Sequence, residues 1–212
     1  MRRVFGMMFV LALAGCGGGS GMQEAECLTA DWRAVGYEDG AQGYSPQQLT
    51  VRRKACAEYG VAPDFNAYMA GREEGLLYYC RPQNGYNVGN SGYRYSGQCP
   101  PHMEPAFVAA HADGFGLYQR RARMQNIGKR LSYSRQRSQE LEYELADRTM
   151  AMATPVTGLT AADMAARAIE LKQLAQEKVE IEQAIQQLEI DYSAAQYDYE
   201  AYRDQISGRY SG

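Results

Sequence analysis

Apolar residues in the last third of the chain fall in alternating steps of three and four. Leu171, Leu174, Lys178, Ile181, Ile185, Leu188, Tyr192, Ala195, Tyr199, Tyr202 and Ile206 keep this rhythm over about five heptads, with Lys178 as the one polar interruption. That spacing predicts a long helix with one apolar seam, of the kind buried against a partner helix. Thr160 to Asp163 opens it as a near capping box, with Asp in place of Glu. A weaker seam precedes it at Ile127, Leu131, Ser134, Ser138, Leu141, Leu145 and Met152, and Pro155 and Gly158 separate the two. The simplest architecture is an antiparallel helical hairpin over 121–206, turning near 153–159, whose second helix spans roughly 70 Å at 1.5 Å per residue. A parallel dimeric coiled coil is the alternative.

Upstream the pattern changes. Gly40, Gly75 and Gly114 each follow an acid (Asp39, Glu74, Asp113), with a small residue four before (Gly36, Gly71, Ala110) and a tyrosine four after (Tyr44, Tyr79, Tyr118). An aromatic stands seven or eight positions before, at Trp32, Tyr68 and Phe107. These offsets recur on one helix face, so the three segments read as related helices. Glycine inside a helix costs up to about 1 kcal/mol against alanine. A repeated pair of small residues therefore predicts close approach of another backbone or an aromatic ring; the alternative is that the glycines break the segments into loops. Ser45-Pro46 and Pro63-Asp64 are helix starts, with Asp64 an N-cap, and Gly60 closes the helix between them.

The segment 81–98, rich in glycine and tyrosine, predicts a turn-dominated loop or short hairpin. Its Tyr86, Tyr93 and Tyr95 are the candidate binding surface, able to stack on sugars if exposed and to pack on the helices if not.

The N-terminus supplies an address. Arg2 and Arg3 precede a short apolar run, Val4 to Ala14, too short to span a bilayer. It ends in Leu13-Ala14-Gly15-Cys16, which looks like a bacterial lipobox. Residues 1–15 then form a lipoprotein signal peptide, Cys16 takes the acyl chains (palmitate among them), and 16–25 form a flexible tether. Gly17 after the cysteine, with no Asp, favours the outer membrane. Four further cysteines, Cys27, Cys56, Cys80 and Cys99, predict two disulfides in an exported chain. Three connectivities are open; Cys27–Cys56 and Cys80–Cys99 are favoured because both close local loops.

Charge narrows the partners. The chain has 22 basic and 25 acidic residues, and loss of Arg2 and Arg3 with the signal leaves about −5, which argues against nucleic acid. No GxSxG, Walker loop or HExxH occurs. The two histidines, His102 and His111, and the spread cysteines lack zinc-ligand spacing, so neither metal nor cofactor is expected. Asp39, Glu74 and Asp113 retain a minor claim as paired carboxylates.

The glycine, aromatic and cysteine spacing in "ADWRAVGYEDGAQG", "YMAGREEGLLYYC" and "GYNVGNSGYRYSGQCP" resembles the bacterial lipoprotein family numbered 2799 among domains of unknown function, over residues about 26–120. His111 stands where an aromatic is more readily expected. The resemblance implies an envelope lipoprotein and supplies no catalytic residues. The sequence thus predicts an all-α protein: a small disulfide-stabilised helical domain over 26–120 with a Tyr/Gly-rich loop, then a coiled-coil hairpin over 121–206. The expected function is non-catalytic. It is that of an outer-membrane lipoprotein facing the periplasm, bound to the membrane by its lipid and to an envelope protein through 121–206. The alternative is binding of peptidoglycan or another polysaccharide through the loop 81–98.

Overall fold

In the computed structural model, which describes residues 22–154 and 157–210, the chain is all-α. Cys16 and the signal segment lie outside the described residues. The helices are α1 (Glu24–Leu28), α2 (Trp32–Ala41), α3 (Gln48–Ala57), α4 (Phe65–Tyr79), α5 (Pro82–Asn90), α6 (Glu104–Ala153) and α7 (Ala161–Ile206). Helix α1 begins inside the stretch expected to be tether. Two compact units divide between Tyr79 and Cys80. The division expected near residue 120 instead falls inside the uninterrupted α6. The composition changes there because α6 exchanges one partner helix for another, without any break in the backbone.

In the first unit, α2 and α4 pack through their glycines. Asp31 caps α2, its carboxylate accepting from the backbone N–H of Arg33 (3.0 Å) and Ala34 (3.2 Å). Asp64 caps α4 through Ala67 N–H (2.9 Å), as the sequence predicts. A β-carbon on Gly36 would lie 2.8 Å from the Tyr68 carbonyl carbon, and one on Gly71 2.7 Å from that of Arg33. Gly40 and Gly75 meet the facing backbone in the same way. The close approach required by the repeated small residues is therefore backbone against backbone. Cys27, Trp32, Cys56 and Tyr68 form the core of this unit, and the Cys27–Cys56 disulfide ties α1 to α3.

The second unit repeats the arrangement with a helix that sequence reasoning placed in a loop. Residues 82–90 form α5, with Pro82 at its first turn. A β-carbon on Gly89 would stand 2.7 Å from the Phe115 nitrogen of α6, and one on Gly114 2.8 Å from the Asn90 nitrogen. Weak propensity is overridden by a tertiary contact that only glycine permits. The correspondence continues past the helix ends. Gly43 (φ 75°) lies under the Tyr79 ring and Gly92 (φ 81°) under the Tyr118 ring. Arg72 donates to the Tyr44 carbonyl (Nη2, 2.8 Å), and His111 Nε2 donates to the Tyr93 carbonyl (2.8 Å). The second disulfide, Cys80–Cys99, closes the segment that enters and leaves α5.

Helices α6 and α7 form the expected antiparallel hairpin within one chain. Thr160 and Asp163 make the reciprocal capping box at the start of α7. Every member of the α7 seam from Leu171 to Ile206 is at least half-buried, and Leu188, Ala195 and Ile206 are fully so. Ile127, Leu131, Leu188 and Ala195 form its core. Lys178, the polar interruption, keeps its ammonium on Glu182 (2.8 Å). At 50 and 46 residues, α6 and α7 run to about 75 and 69 Å at 1.5 Å per residue.

Loop closure by a disulfide gives the first test. For cysteines 29 and 19 residues apart, the chain-entropy model places each bridge at about 3–4 kcal/mol. Reduction without denaturant is expected to lower the melting temperature of both helix pairs while the α6–α7 hairpin stays helical. Residue-resolved amide exchange in reduced and oxidised protein reads the difference. Equal protection of α2 and α4 in both states would remove the disulfides from the account of stability.

Candidate functional site

The three loop tyrosines have three different fates. Tyr86, on α5, is half-buried and stacks on Tyr210 with ring centroids 4.8 Å apart and planes at 16°. Tyr95 packs its ring on Phe107 (4.9 Å), and its hydroxyl donates to Glu104 Oε1 (2.9 Å) while accepting from Cys99 N–H (2.9 Å). Only Tyr93 offers its ring to solvent, at 70% exposure. The structure does not bring the three into one aromatic face. The sequence places all three in a turn-rich loop, whereas Tyr86 stands on α5 and Tyr93 and Tyr95 follow it.

The three acids that precede glycines also part company. Asp39 is fully buried, and its carboxylate accepts from Arg52 Nε (2.8 Å) and Nη2 (2.5 Å) and from the Tyr68 hydroxyl (2.8 Å). Glu74 pairs with Arg33 on the exposed side of α2 and α4. Asp113 accepts from Arg209 Nη1 (3.1 Å) and the Tyr210 hydroxyl (2.8 Å). Each carboxylate is thus held by a cation of its own unit. Among the described residues, no group of three or more His, Cys, Asp or Glu side chains is placed to hold a metal.

The Asp39 cluster is the polar centre of the first unit. Its hydrogen bond to Asp39 raises the Arg52 pKa, against the cost of partial burial. Arg72, only 5% exposed, is pushed down by burial. Burial, with the Asp39 hydrogen bond and charge behind it, also pushes the Tyr68 hydroxyl well above its ordinary value. The folded state then holds that proton more tightly than the unfolded chain. Its contribution is complete below about pH 10, where a free tyrosine titrates, and is lost as pH rises beyond it. In thermal melts from pH 8 to 11.5, wild-type protein is expected to melt above Tyr68→Phe at pH 8 and to lose that advantage above pH 10. A gap independent of pH would mean that the Tyr68 proton is not linked to folding.

The hairpin presents a long charged surface. Cations crowd α6 between Arg120 and Arg137, including Arg121, Arg123, Lys129, Arg130 and Arg135, with no acid among them. The facing stretch of α7 carries Glu177, Glu180, Glu182, Glu189, Asp191 and Asp198 against Lys178 alone. Ion pairs cross the seam at Arg120–Asp198 (3.1 Å), Arg135–Glu189 (2.7 Å), Arg137–Glu177 (3.0 Å) and Arg148–Glu170 (2.6 Å). Each is partly exposed and individually worth about 0–1 kcal/mol. Together they choose the partner: α7 against α7 in a parallel dimer would place acid on acid, whereas α6 against α7 neutralises both. The segregation was visible in the sequence once the two seams were aligned antiparallel. Beyond the ion pairs, Tyr133, Tyr143, Met150, Ile169, Ile190 and Tyr197 stand exposed along the outside of the arm.

Residues 31–116 match the model of a family described as "Protein of unknown function (DUF2799)". The match runs from the Asp31 cap through both glycine-packed helix pairs and stops at Gly116, where α7 already reaches α6 through Tyr202. No curated protein and no solved structure matches the chain.

Proposed function

We propose that the chain is a non-catalytic lipoprotein of the bacterial outer membrane. Lipid on Cys16 holds it, and the α6–α7 hairpin serves as a spacer or docking arm for another envelope protein in the periplasm. The observation that carries this reading is the hairpin itself. From Met124 to Ala153, α6 is paired with α7 and laced by cross-seam ion pairs, which supply reach and stiffness. Side chains such as Tyr143 and Tyr197 on its outer faces are the type enriched in protein interfaces. The lipobox-like Leu13-Ala14-Gly15-Cys16 supplies the anchor.

A shortened arm tests the reading. Deleting 134–147 together with 171–184 removes two heptads from each helix, about 21 Å of length, and preserves both seams. Periplasmic cross-linking followed by pull-down is expected to capture a partner with the full chain and to lose it, or shift its cross-link site, with the shortened one. Cys16→Ala is expected to abolish palmitate labelling and release the protein from the membrane fraction. Capture unaffected by the deletion would end the arm reading, and membrane retention of Cys16→Ala would end the anchor.

A further inference from the structure

The chain does not trail away after α7. Ser207 Oγ donates to the Asp204 carbonyl (2.8 Å), and Arg209 N–H donates to the Ile206 carbonyl (3.2 Å). Between them Gly208 adopts φ 85°, with no neighbouring atom within 4 Å of where a β-carbon would stand. This open glycine turn returns Arg209 and Tyr210 onto the α5–α6 pair. There the Tyr210 ring stacks on Tyr86, and Asp113 Oδ2 accepts from both the Tyr210 hydroxyl and Arg209.

The receiving surface is rigid. Asp113 immediately precedes Gly114, whose backbone lies against that of Tyr86. The contact that locks α5 to α6 therefore also sets the Tyr86 ring beside the Asp113 carboxylate. The occupant is held differently. Its Arg209 side chain is 51% exposed, and an exposed ion pair holds weakly against solvent. The Tyr210 ring is held by the Tyr86 stack and the Asp113 bond, and burial with that bond raises its pKa. A ring-and-carboxylate face is thus filled by a segment of the same chain.

We propose that the Tyr86–Asp113 face takes peptide segments in which a cationic residue adjoins an aromatic one. It is occupied in cis by Arg209–Tyr210 and yields to such a segment of a partner protein. The ring supplies a flat stacking surface, and the carboxylate accepts from a guanidinium and a phenol together. The cis segment is a built-in competitor, since a tethered ligand presents an effective concentration that a free one must exceed. The proposal needs neither the lipid anchor nor the hairpin's outer faces, so it can fail or stand apart from the function proposed above.

The test uses the full chain and a fluorescent peptide, Ile-Ser-Gly-Arg-Tyr-Ser-Gly, read by anisotropy. Arg209→Ala/Tyr210→Ala, which empties the face, is expected to bind the peptide at least tenfold more tightly than the intact chain. Adding Asp113→Asn to it, or replacing the peptide's Arg and Tyr by Ala, is expected to remove that gain. Equal binding to intact and emptied chains, no binding to the emptied chain, or binding indifferent to Asp113 would each overturn the proposal. Should the double variant lose helicity, recovery at saturating peptide supports the site, and failure to recover overturns it.

Discussion

Gly71→Val is expected to unfold the α2–α4 pair in the otherwise intact chain. A β-carbon at this position would lie 2.7 Å from the Arg33 carbonyl carbon and 2.9 Å from the Tyr37 nitrogen. Both are backbone atoms of a helix, which no rotamer change can move aside. Overpacking a core with flexible neighbours already costs about 1–3 kcal/mol, and alanine here should reach the upper part of that range. Valine adds two further methyls on the same line of approach. The total is comparable with the whole stability of a unit this size, at about 0.05–0.15 kcal/mol per residue. Limited trypsin digestion reads the result, since Arg33, Arg52 and Arg72 become cleavable when the pair opens while the α6–α7 arm stays protected. Ala110, one turn before Gly114 in the second pair, provides the contrast. Ala110→Gly should cost about 1 kcal/mol of helix propensity and about 0.8 kcal/mol for the buried methyl group it removes, with no backbone clash. Wild-type digestion kinetics for Gly71→Val would show that α2 and α4 can part without loss, contrary to the packing.

Asp39→Ala is expected to destabilise the same unit by about 3–5 kcal/mol, the range for removing one partner of a buried ion pair. The carboxylate is fully buried and accepts three hydrogen bonds. Its loss strands the Tyr68 hydroxyl and leaves Arg52, 20% exposed at its side chain, without its counter-charge. Asp39→Asn keeps an acceptor for Tyr68 and should cost less than half as much. Arg52→Ala combined with Asp39→Ala should recover part of the loss, because no lone charge remains. Urea melts of wild type, Asp39→Ala, Arg52→Ala, the double variant and Asp39→Asn decide it. If the double variant loses as much as the two singles summed, Asp39 and Arg52 are not coupled, and the cluster is two independent contacts.

Where the sequence revealed the fold, one residue pattern carried enough constraint by itself. The α7 seam did so because an apolar residue every three or four positions has no other use in a long polar helix, and the buried sides of Leu188, Ala195 and Ile206 follow it. Thr160 and Asp163 did so because their bonds are local. Glycines spaced by four revealed close packing at Gly36–Gly40 and Gly71–Gly75. The same spacing at Gly85 and Gly89 is masked by Asn84-Gly85, the further glycines and the tyrosines around it, which favour turns. Helix α5 owes its existence to the α6 backbone it lies on, which composition does not record. The continuity of α6 was hidden for a related reason. Its dense cluster of glycines and aromatics ends near Tyr118, close to where α5 gives way to α7 as the neighbour, so a change of neighbour resembles a domain boundary. Asp39 read as an acid before a glycine, and only the tertiary placement of Arg52 and Tyr68 explains why it is buried.

The match between the two helix pairs has a consequence for how this chain can change. Two tandem copies of one design act as each other's control. What both retain is what the architecture demands: glycines against a facing backbone, a tyrosine ring over a left-handed glycine, and a cationic or imidazole donor on the carbonyl that follows. What they do not share is free of that demand. Asp39 in the first copy corresponds to Val88 in the second, the Glu74 carboxylate that meets Arg33 corresponds to the Asp113 that receives the chain end, and α4 stops at Tyr79 where α6 continues past Tyr118. Mutational tolerance measured across both copies should therefore separate into a shared, intolerant set and a private set, and it is in the private set that selection for an activity would leave its trace.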